Sequence, residues 1–453
     1  MSALTLRVRK VDLFERPVTL RLPFRFGAAT VTHCPQAFVR VEAEVDGRSV
    51  VGATAELMVP KWFDKSPALT HEQNFEQLRE SLRLARAAHW DAHGEGAPWS
   101  LSERCGGAAI AHSVAVGLPR LAAQFGAAQL DKAIADAALR AADVGWCEGL
   151  RAGLLGDPWS ARLDIRRPGA VALRHTVGLA DRLTDDEPGP DPHDGLPASL
   201  QAAIAAYGLR FFKLKLCGEI ERDLPRLAAI AALLDRDAGD YRVTLDGNET
   251  FADAGALDRH WRALAATQAL QGLLARTLML EQPLARTVAL REPVGEIGVA
   301  VPIILDESDD HASALDEGLA LGYRGISSKA CKGIYRSLRN AAEIAASPAA
   351  LLLSGEDLTC QAGLAVQQDS LLAASLGVAH VERNGHHYVD GFGIAPDDEA
   401  QAFADAHPGL YERSEGGRVR LAVRDGRLDL SSLHGPGFAA SAMPRWGTLQ
   451  PIT

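Results

Sequence analysis

Five short apolar runs, each closing on a charged side chain, constrain this chain more than anything else in it. Between residues 210 and 332 the sequence reads FFKLKL with Lys213 and Lys215, VTLDGN with Asp246, MLEQPL with Glu281, PIILDES with Asp306 and GISSKAC with Lys329. Each run has the length and the β-branched or aromatic content of a buried strand. Amphipathic helical stretches such as 223–237 and 259–275 lie between them. The charged ends recur roughly 20–35 residues apart, about the length of one strand–helix unit. Repeated units of that size predict a parallel sheet, and charge at the C-terminal end of each strand predicts a closed (β/α)8 barrel of the TIM type with its chemistry on one rim.

A barrel takes about 250 residues, so a chain of 453 residues has a second domain's worth left over. Hydrophobic residues make up 47% and charged residues 23%, the balance of an ordinary globular protein. A net charge of −11 without a basic cluster argues against nucleic acid as a partner. Neither a leader-like segment nor an uninterrupted apolar run long enough to span a bilayer is present. The six cysteines are scattered without a CxxC spacing. Together these features predict a reducing, cytoplasmic setting with free thiols and no membrane partner. Cys217 and Cys331 fall near charged strand ends and read as small barrel-wall residues rather than nucleophiles.

Residues 3–57 read as antiparallel strands, with a turn after Arg16 and a hairpin at Asp46-Gly47. A polar, glycine-containing loop is expected at 24–34, around Phe24, Phe26 and Gly27, and a second at 57–67, carrying Trp62. Residues 71–146 are alanine-rich with apolar side chains every three or four positions, a helical layer on the strands. The first barrel strand is expected at 171–179 and a turn-rich insertion at 185–195. A seventh strand would end at Glu356-Asp357, and an eighth would carry Glu382, Asn384, His386 and His387, the two histidines on a polar rim. The tail repeats strand-and-turn chemistry and is expected to return to the first domain. The resulting division is 1–165, an α+β capping domain with the two loops over the site, 166–415, the barrel, and 416–453, a closing segment. The fold class is α/β, a modified (β/α)8 TIM barrel capped by an α+β domain built from both termini.

Asp246, Glu281 and Asp306 sit at matching ends of successive strands, where three carboxylates can converge on one hard cation such as Mg²⁺, with Mn²⁺ also suited. Alternating strand faces allow only one of Asp306 and Glu307 to point inward, and Asp306 is chosen because it ends the apolar run. Lys213 and Lys215, two apart, share a face, and mutual repulsion with burial is expected to draw one of them toward neutrality. Such a lysine can act as general base. Lys329, four strands farther round, would approach a bound substrate from the opposite side.

At these residues the chain resembles the enolase superfamily, specifically its muconate lactonizing enzyme subgroup. The motifs that carry the resemblance are Lys213-x-Lys215, Asp246-Gly-Asn248, Glu281-Gln-Pro283, Asp306-Glu-Ser308 and Lys329-x-x-Lys332-Gly333. The 131–142 helix and the 426–439 segment resemble the capping-domain helix and closing segment of that family. The resemblance implies Mg²⁺ on the three carboxylates and removal of the proton α to a small-molecule substrate's carboxylate, giving an enediolate. It implies Lys215 and Lys329 as the acid/base pair, with Lys213 lowering the pKa of Lys215 and helping to hold the carboxylate, and Lys332 in support. Two features depart from the pattern: Gly333 is followed by Ile334-Tyr335, and the seventh strand lacks the His of a mandelate racemase-type dyad. Racemisation or epimerisation is the leading expectation, with cycloisomerisation and β-elimination as alternatives. A Schiff-base lyase or an inactive binding relative stands further off. Glu356, Asp357 and Glu382 would attract an amino-bearing substrate or else pair with Arg324, Arg336 or Arg383. Asn248, Phe26 and Trp62 complete the expected substrate contacts, and a homo-oligomer is compatible with all of this.

Overall fold

A computed structural model describes residues 3–27, 29–91, 94–358 and 360–453; Ala28 in the 24–34 segment and Thr359 after the seventh strand lie outside them. Eight parallel strands form the barrel: Ala170–Val177, Phe211–Lys215, Arg242–Asp246, Thr277–Glu281, Ile303–Ile304, Gly325–Ser328, Leu352–Gly355 and His380–Glu382. They pair in chain order, the eighth pairs with the first through Val381 and Leu173, and a bridge from Leu305 to Ile326 closes the ring between the fifth and sixth. Helices such as Ile220–Asp237, Ala254–Ala266, Ile334–Ala346 and Leu364–Ser375 run back along the outside. Their stripes of Leu, Ile and Ala cover strands buried on both faces, the reason those strands read as continuous apolar runs.

The N-terminal part is an antiparallel sheet, Leu6–Phe26, Ala29–Val45 and Arg48–Leu57, backed by helices His71–Asp91 and Arg120–Ala141. The second helix is buried almost all round, which its Ala and Gly content allows. A Cβ on Gly126 would come 2.0 Å from Ser81 O of the first helix, and one on Gly52 would come 2.0 Å from Ala133 O. These two glycines therefore set how closely helix meets helix and sheet. Asp136 then ties three segments together, accepting from Ala53 N at 2.9 Å, Arg140 Nε at 2.9 Å and Phe438 N at 2.7 Å.

Several expectations need correction. The segment 24–34 is not a loop: Phe24 pairs with Val31 and Phe26 with Ala29, so it is the tip of a long hairpin. No turn follows Arg16, because the strand continues through Pro17, which faces Pro35, and irregularity enters only between Thr19 and Phe24. The tail does not return directly to the cap. Arg427–Asp429 first adds antiparallel to the first barrel strand, and only Gln450–Pro451 joins the N-terminal sheet, opposite Phe14 and Glu15. The 185–195 insertion is fastened to the cap, Arg21 donating to both Asp194 oxygens at 2.6 and 2.9 Å.

Candidate active site

At their C-terminal ends the second, third and fourth barrel strands are aligned, Lys215 opposite Asp246 and Asp246 opposite Glu281, after an irregularity between Val243 and Leu245 in the third. The charged ends therefore arrive at one level of the rim. Asp306 follows the fifth strand and Lys329 the sixth. A pocket lined by Lys213, Lys215, Asp246, Asp306 and Lys329 lies below a roof of Phe24, Phe26, Val59 and Trp62 from the cap. The space left is about 20 Å³, room for a single water. A larger groove, about 580 Å³, lies on the outer edge of the capping sheet around Arg7, Lys10 and Trp90, away from these groups.

The ion pairing is dense. Lys215 Nζ donates to Asp246 Oδ2 at 2.6 Å, and Lys329 Nζ to Asp306 Oδ2 at 2.8 Å. Each lysine also meets aromatic faces: Lys215 lies 5.9 Å from the centroids of both Phe24 and Phe26, and Lys329 lies 4.2 Å from Trp62. Lys213 sits in the middle. It donates to Glu356 at 2.7 Å and Glu382 at 3.0 Å, and lies 2.7 Å from Glu281 and 2.9 Å from Asp246. Lys332 donates to Asp306 Oδ1 at 3.3 Å and to Ser327 Oγ at 2.7 Å.

Of the lysine pair, Lys213 is not the one drawn toward neutrality. Burial opposes the charge on Lys213, but Asp246, Glu281, Glu356 and Glu382 outweigh it and hold the ammonium well above the ordinary lysine value. Lys329 is raised in the same way, burial being overcome chiefly by Asp306. The carboxylates divide. Burial opposes ionisation of Asp306, yet Lys329 and Lys332 hold it below the usual range. Asp246 is lowered against burial by Lys213 and Lys215. Glu281 is raised by burial and by the neighbouring charges of Asp246 and Glu356.

Whether a divalent cation suits this site turns on Glu281. Both of its oxygens are buried and accept no hydrogen bond, since the approach of Lys213 has ion-pair distance without hydrogen-bond angles. Among the described residues no three His, Cys, Asp or Glu side chains are gathered closely enough to hold an ion as they stand. Asp246 and Glu281 are bridged by Lys213, while Asp306 is engaged by Lys329 and Lys332. In donor type and charge Asp246, Glu281 and Asp306 fit a hard cation, with Lys213 as the positive group already seated between two of them.

The remaining candidates separate. Asp357 and Glu382 line the pocket, but their oxygens staple the loops: Asp357 accepts from Leu358 N at 2.9 Å and Asn384 N at 2.8 Å, and Glu382 from Asp357 N at 3.0 Å. Glu356 is shared by Lys213 and by Arg174, a partner on the first strand absent from the sequence reading. Arg383 pairs with Asp357 and Asp369, whereas Arg336 goes to Asp309 instead. Asn248 and Asn384 also line the pocket, each with an amide oxygen lacking a partner. Glu307 is buried as fully as Asp306 but faces Asn248 and the cap's Lys65. His386 and His387 are not rim residues: both are buried beside His175, whose Nδ1 is 3.0 Å from His386 Nε2, and burial holds both below the ordinary histidine value. Cys331 is buried and Cys217 partly so, and all six cysteines are free.

The cap is pinned over this rim. Lys65 donates to Asn248 O at 2.5 Å and pairs with Glu249 at 2.6 Å. Arg286, held by Glu249 at 2.7 Å, donates to Trp62 O and Phe63 O at 2.9 Å each.

No protein-family profile and no curated protein sequence matches the chain. Solved structures do. The 2-chloromuconate cycloisomerase of Rhodococcus opacus superposes with a TM-score of 0.63 at 16% identity, covering 96% of this chain and 97% of its own. The dipeptide epimerase of Enterococcus faecalis, complexed with Mg and the dipeptide L-Leu-L-Tyr, gives 0.61 at 16% identity, covering 96% and 99%. An enolase from Bradyrhizobium, complexed with magnesium and mandelic acid, gives 0.61 at 18% identity, covering 99% and 98%. The likeness is one of fold: the chain has the capped barrel of the enolase superfamily, muconate lactonizing enzymes included.

Proposed function

We propose that the chain is an enolase-superfamily enzyme of the muconate lactonizing type that removes the proton α to the carboxylate of a small substrate and returns it, as a racemase or epimerase. One observation carries this reading: Lys215 and Lys329 end strands four apart in an eight-stranded ring, each with one aspartate and an aromatic face. Both line the pocket, and on this reading their amines approach a substrate from opposite sides. On this reading one lysine takes the proton from one face of the α-carbon and the other delivers one to the opposite face. Lys213 holds the substrate carboxylate, and the free amide oxygens of Asn248 and Asn384 accept hydrogen bonds from the substrate. Phe26 and Trp62 exclude water from above. Asp246, Glu281 and Asp306 would hold a divalent cation, which would stabilise oxyanion charge developing on the substrate. Asp306 remains paired through Lys332 when Lys329 gives up its proton.

Cycloisomerisation of an unsaturated diacid would share the enediolate and the same lysines, and the roof of Phe24, Phe26, Val59 and Trp62 suits the hydrocarbon segment between its two carboxylates. The test is α-deuterium exchange in D₂O with Mg²⁺, across acid sugars, dipeptides, N-modified amino acids and unsaturated diacids. Exchange with inversion is the expected outcome. Lys215→Ala and Lys329→Ala should each abolish exchange from one stereoisomer. Loss of exchange from both stereoisomers in each variant would overturn the two-face assignment, and borohydride trapping of an imine in EDTA would replace the reading with a lyase.

A further inference from the structure

A second cavity, of about 150 Å³, lies between the capping helices and the loop after the sixth barrel strand. One face of the helix Arg120–Ala141 supplies Gln124, Ala127, Ala128 and Asp131, spaced so that the alanines leave room between two polar groups. A single π-helical turn, Ser102–Gly106, forms another side; such turns inside helices are frequent at binding sites. Trp99, Trp159 and Tyr335 make an aromatic corner, with ring centroids 4.7 Å apart for the two indoles and 4.9 Å for Trp99 and Tyr335.

Besides the donor Arg336 Nε, three buried oxygens at this cavity have no partner: Asp131 Oδ1, Gln124 Oε1 and the Tyr335 hydroxyl. Their residues are at least nine-tenths buried, at 7%, 3% and 4% exposure. Asp131 Oδ2 is satisfied, accepting from Ser102 Oγ at 2.8 Å. Burial, offset only by that bond, pushes the Asp131 carboxyl up to about 7, and no cationic side chain among the described residues pairs with it. The nearby cations are spoken for, Lys332 by Asp306 and Asp309, Arg336 by Asp309, which leaves Arg339 at the wall.

Of the three orphaned oxygens, Gln124 Oε1 is a pure acceptor, Asp131 is one when ionised and the tyrosine hydroxyl can accept, and indole faces attract positive charge. We propose that this cavity is a binding site for a small molecule bearing a primary ammonium group, held by Asp131, Gln124 and Tyr335 beneath the two indoles. The three N–H donors of an ammonium match the three orphaned oxygens in number. The group is shared by simple alkylamines and by amino acids, whose carboxylate Arg339 would receive. Lys332 lines the cavity and also bonds Asp306, so occupancy would be felt at the barrel rim.

The test is calorimetric and tryptophan-fluorescence titration of the full chain with propylammonium, with alanine and with propanol, followed by crystal soaks. Saturable binding of propylammonium or alanine, absent with propanol and at least about tenfold weaker in Asp131→Asn, is the expected result. Alanine outbinding propylammonium, and losing that advantage in Arg339→Met, would identify the amino-acid source; the reverse order would identify an alkylamine. Tyr335→Phe deletes one orphan and should weaken binding while leaving the chain folded, a check independent of any folding defect in Asp131→Asn. Equal response to propanol, unchanged affinity in both variants, or soaked crystals with water alone in the cavity would overturn the proposal.

Discussion

Replacing Lys213 by Met keeps the length of the side chain and removes the charge at the centre of the site. Four carboxylates now lie within 3.0 Å of that ammonium. Three retain other partners: Asp246 keeps Lys215, Glu356 keeps Arg174, and Glu382 keeps Thr176 and Asn384. Glu281 keeps none. Removing one partner of a buried pair typically costs about 3–5 kcal/mol, a large part of the ~5–15 kcal/mol that holds a domain folded. Lys213→Met should therefore lower the urea midpoint of the barrel sharply. If Lys213 occupies ground that a divalent cation would share, Mg²⁺ should restore more stability to the variant than it adds to the parent, about 2.7 kcal/mol at a hundredfold excess over Kd. The assay is urea unfolding followed by far-UV circular dichroism, with Mg²⁺ and with EDTA. A variant within about 1 kcal/mol of the parent, or one that Mg²⁺ stabilises less than the parent, would refute the reasoning.

Gly52→Ala should destabilise the cap by more than about 3 kcal/mol, because its Cβ would require the Arg120–Ala141 helix to retreat from the sheet; thermal unfolding reads this directly. Stability should also fall with acidification. His175 is pushed down to about 3 by burial, and His386 and His387 are lowered likewise, whereas the unfolded chain titrates near the ordinary ~6.5. The unfolded state then binds more protons below about pH 6.5, so stability present at pH 7 is lost on descent through that value, roughly 1 kcal/mol by pH 5.5 for His175, with His386 and His387 acting in the same direction. Urea midpoints between pH 7.5 and 5.5 test it, with a shallower slope expected for His387→Phe. Arg286→Met removes the bonds to Trp62 O and Phe63 O, which should loosen the loop that lays Trp62 over Lys329. A loss of roughly 10–100-fold in kcat/KM with little change in unfolding is the expected outcome in steady-state assays.

The barrel and its charged rim were legible because each strand buries both faces and ends in one charge, a pattern that survives without knowledge of neighbours. What surrounds Lys213 was not. Glu356 and Glu382 reach it, with Arg174 paired to Glu356 behind, only because the seventh, eighth and first strands close beside the second, and closure has no local signature. The same holds for His386 and His387, polar in isolation but enclosed by His175 and by each other. The 24–34 segment was misread because Gly27 and a run of polar residues mimic a loop, although alternate side chains, Phe24, Phe26, Ala29 and Val31, are buried. Asp306 lines the pocket while Glu307, equally buried, faces Asn248 and Lys65, although the regular strand already ends at Ile304.

Every ionisable group of the rim belongs to the barrel, while the surfaces that bear down on it, the hairpin tip and the 57–67 loop, belong to the cap and are joined to the rim at Lys65 and Arg286. Chemistry and admission are therefore inherited on separate stretches of polypeptide. A transplant of the two covering stretches from a related scaffold, with Lys65 retained as the fastening, would change which molecules enter while the amines of Lys215 and Lys329 stay where they are.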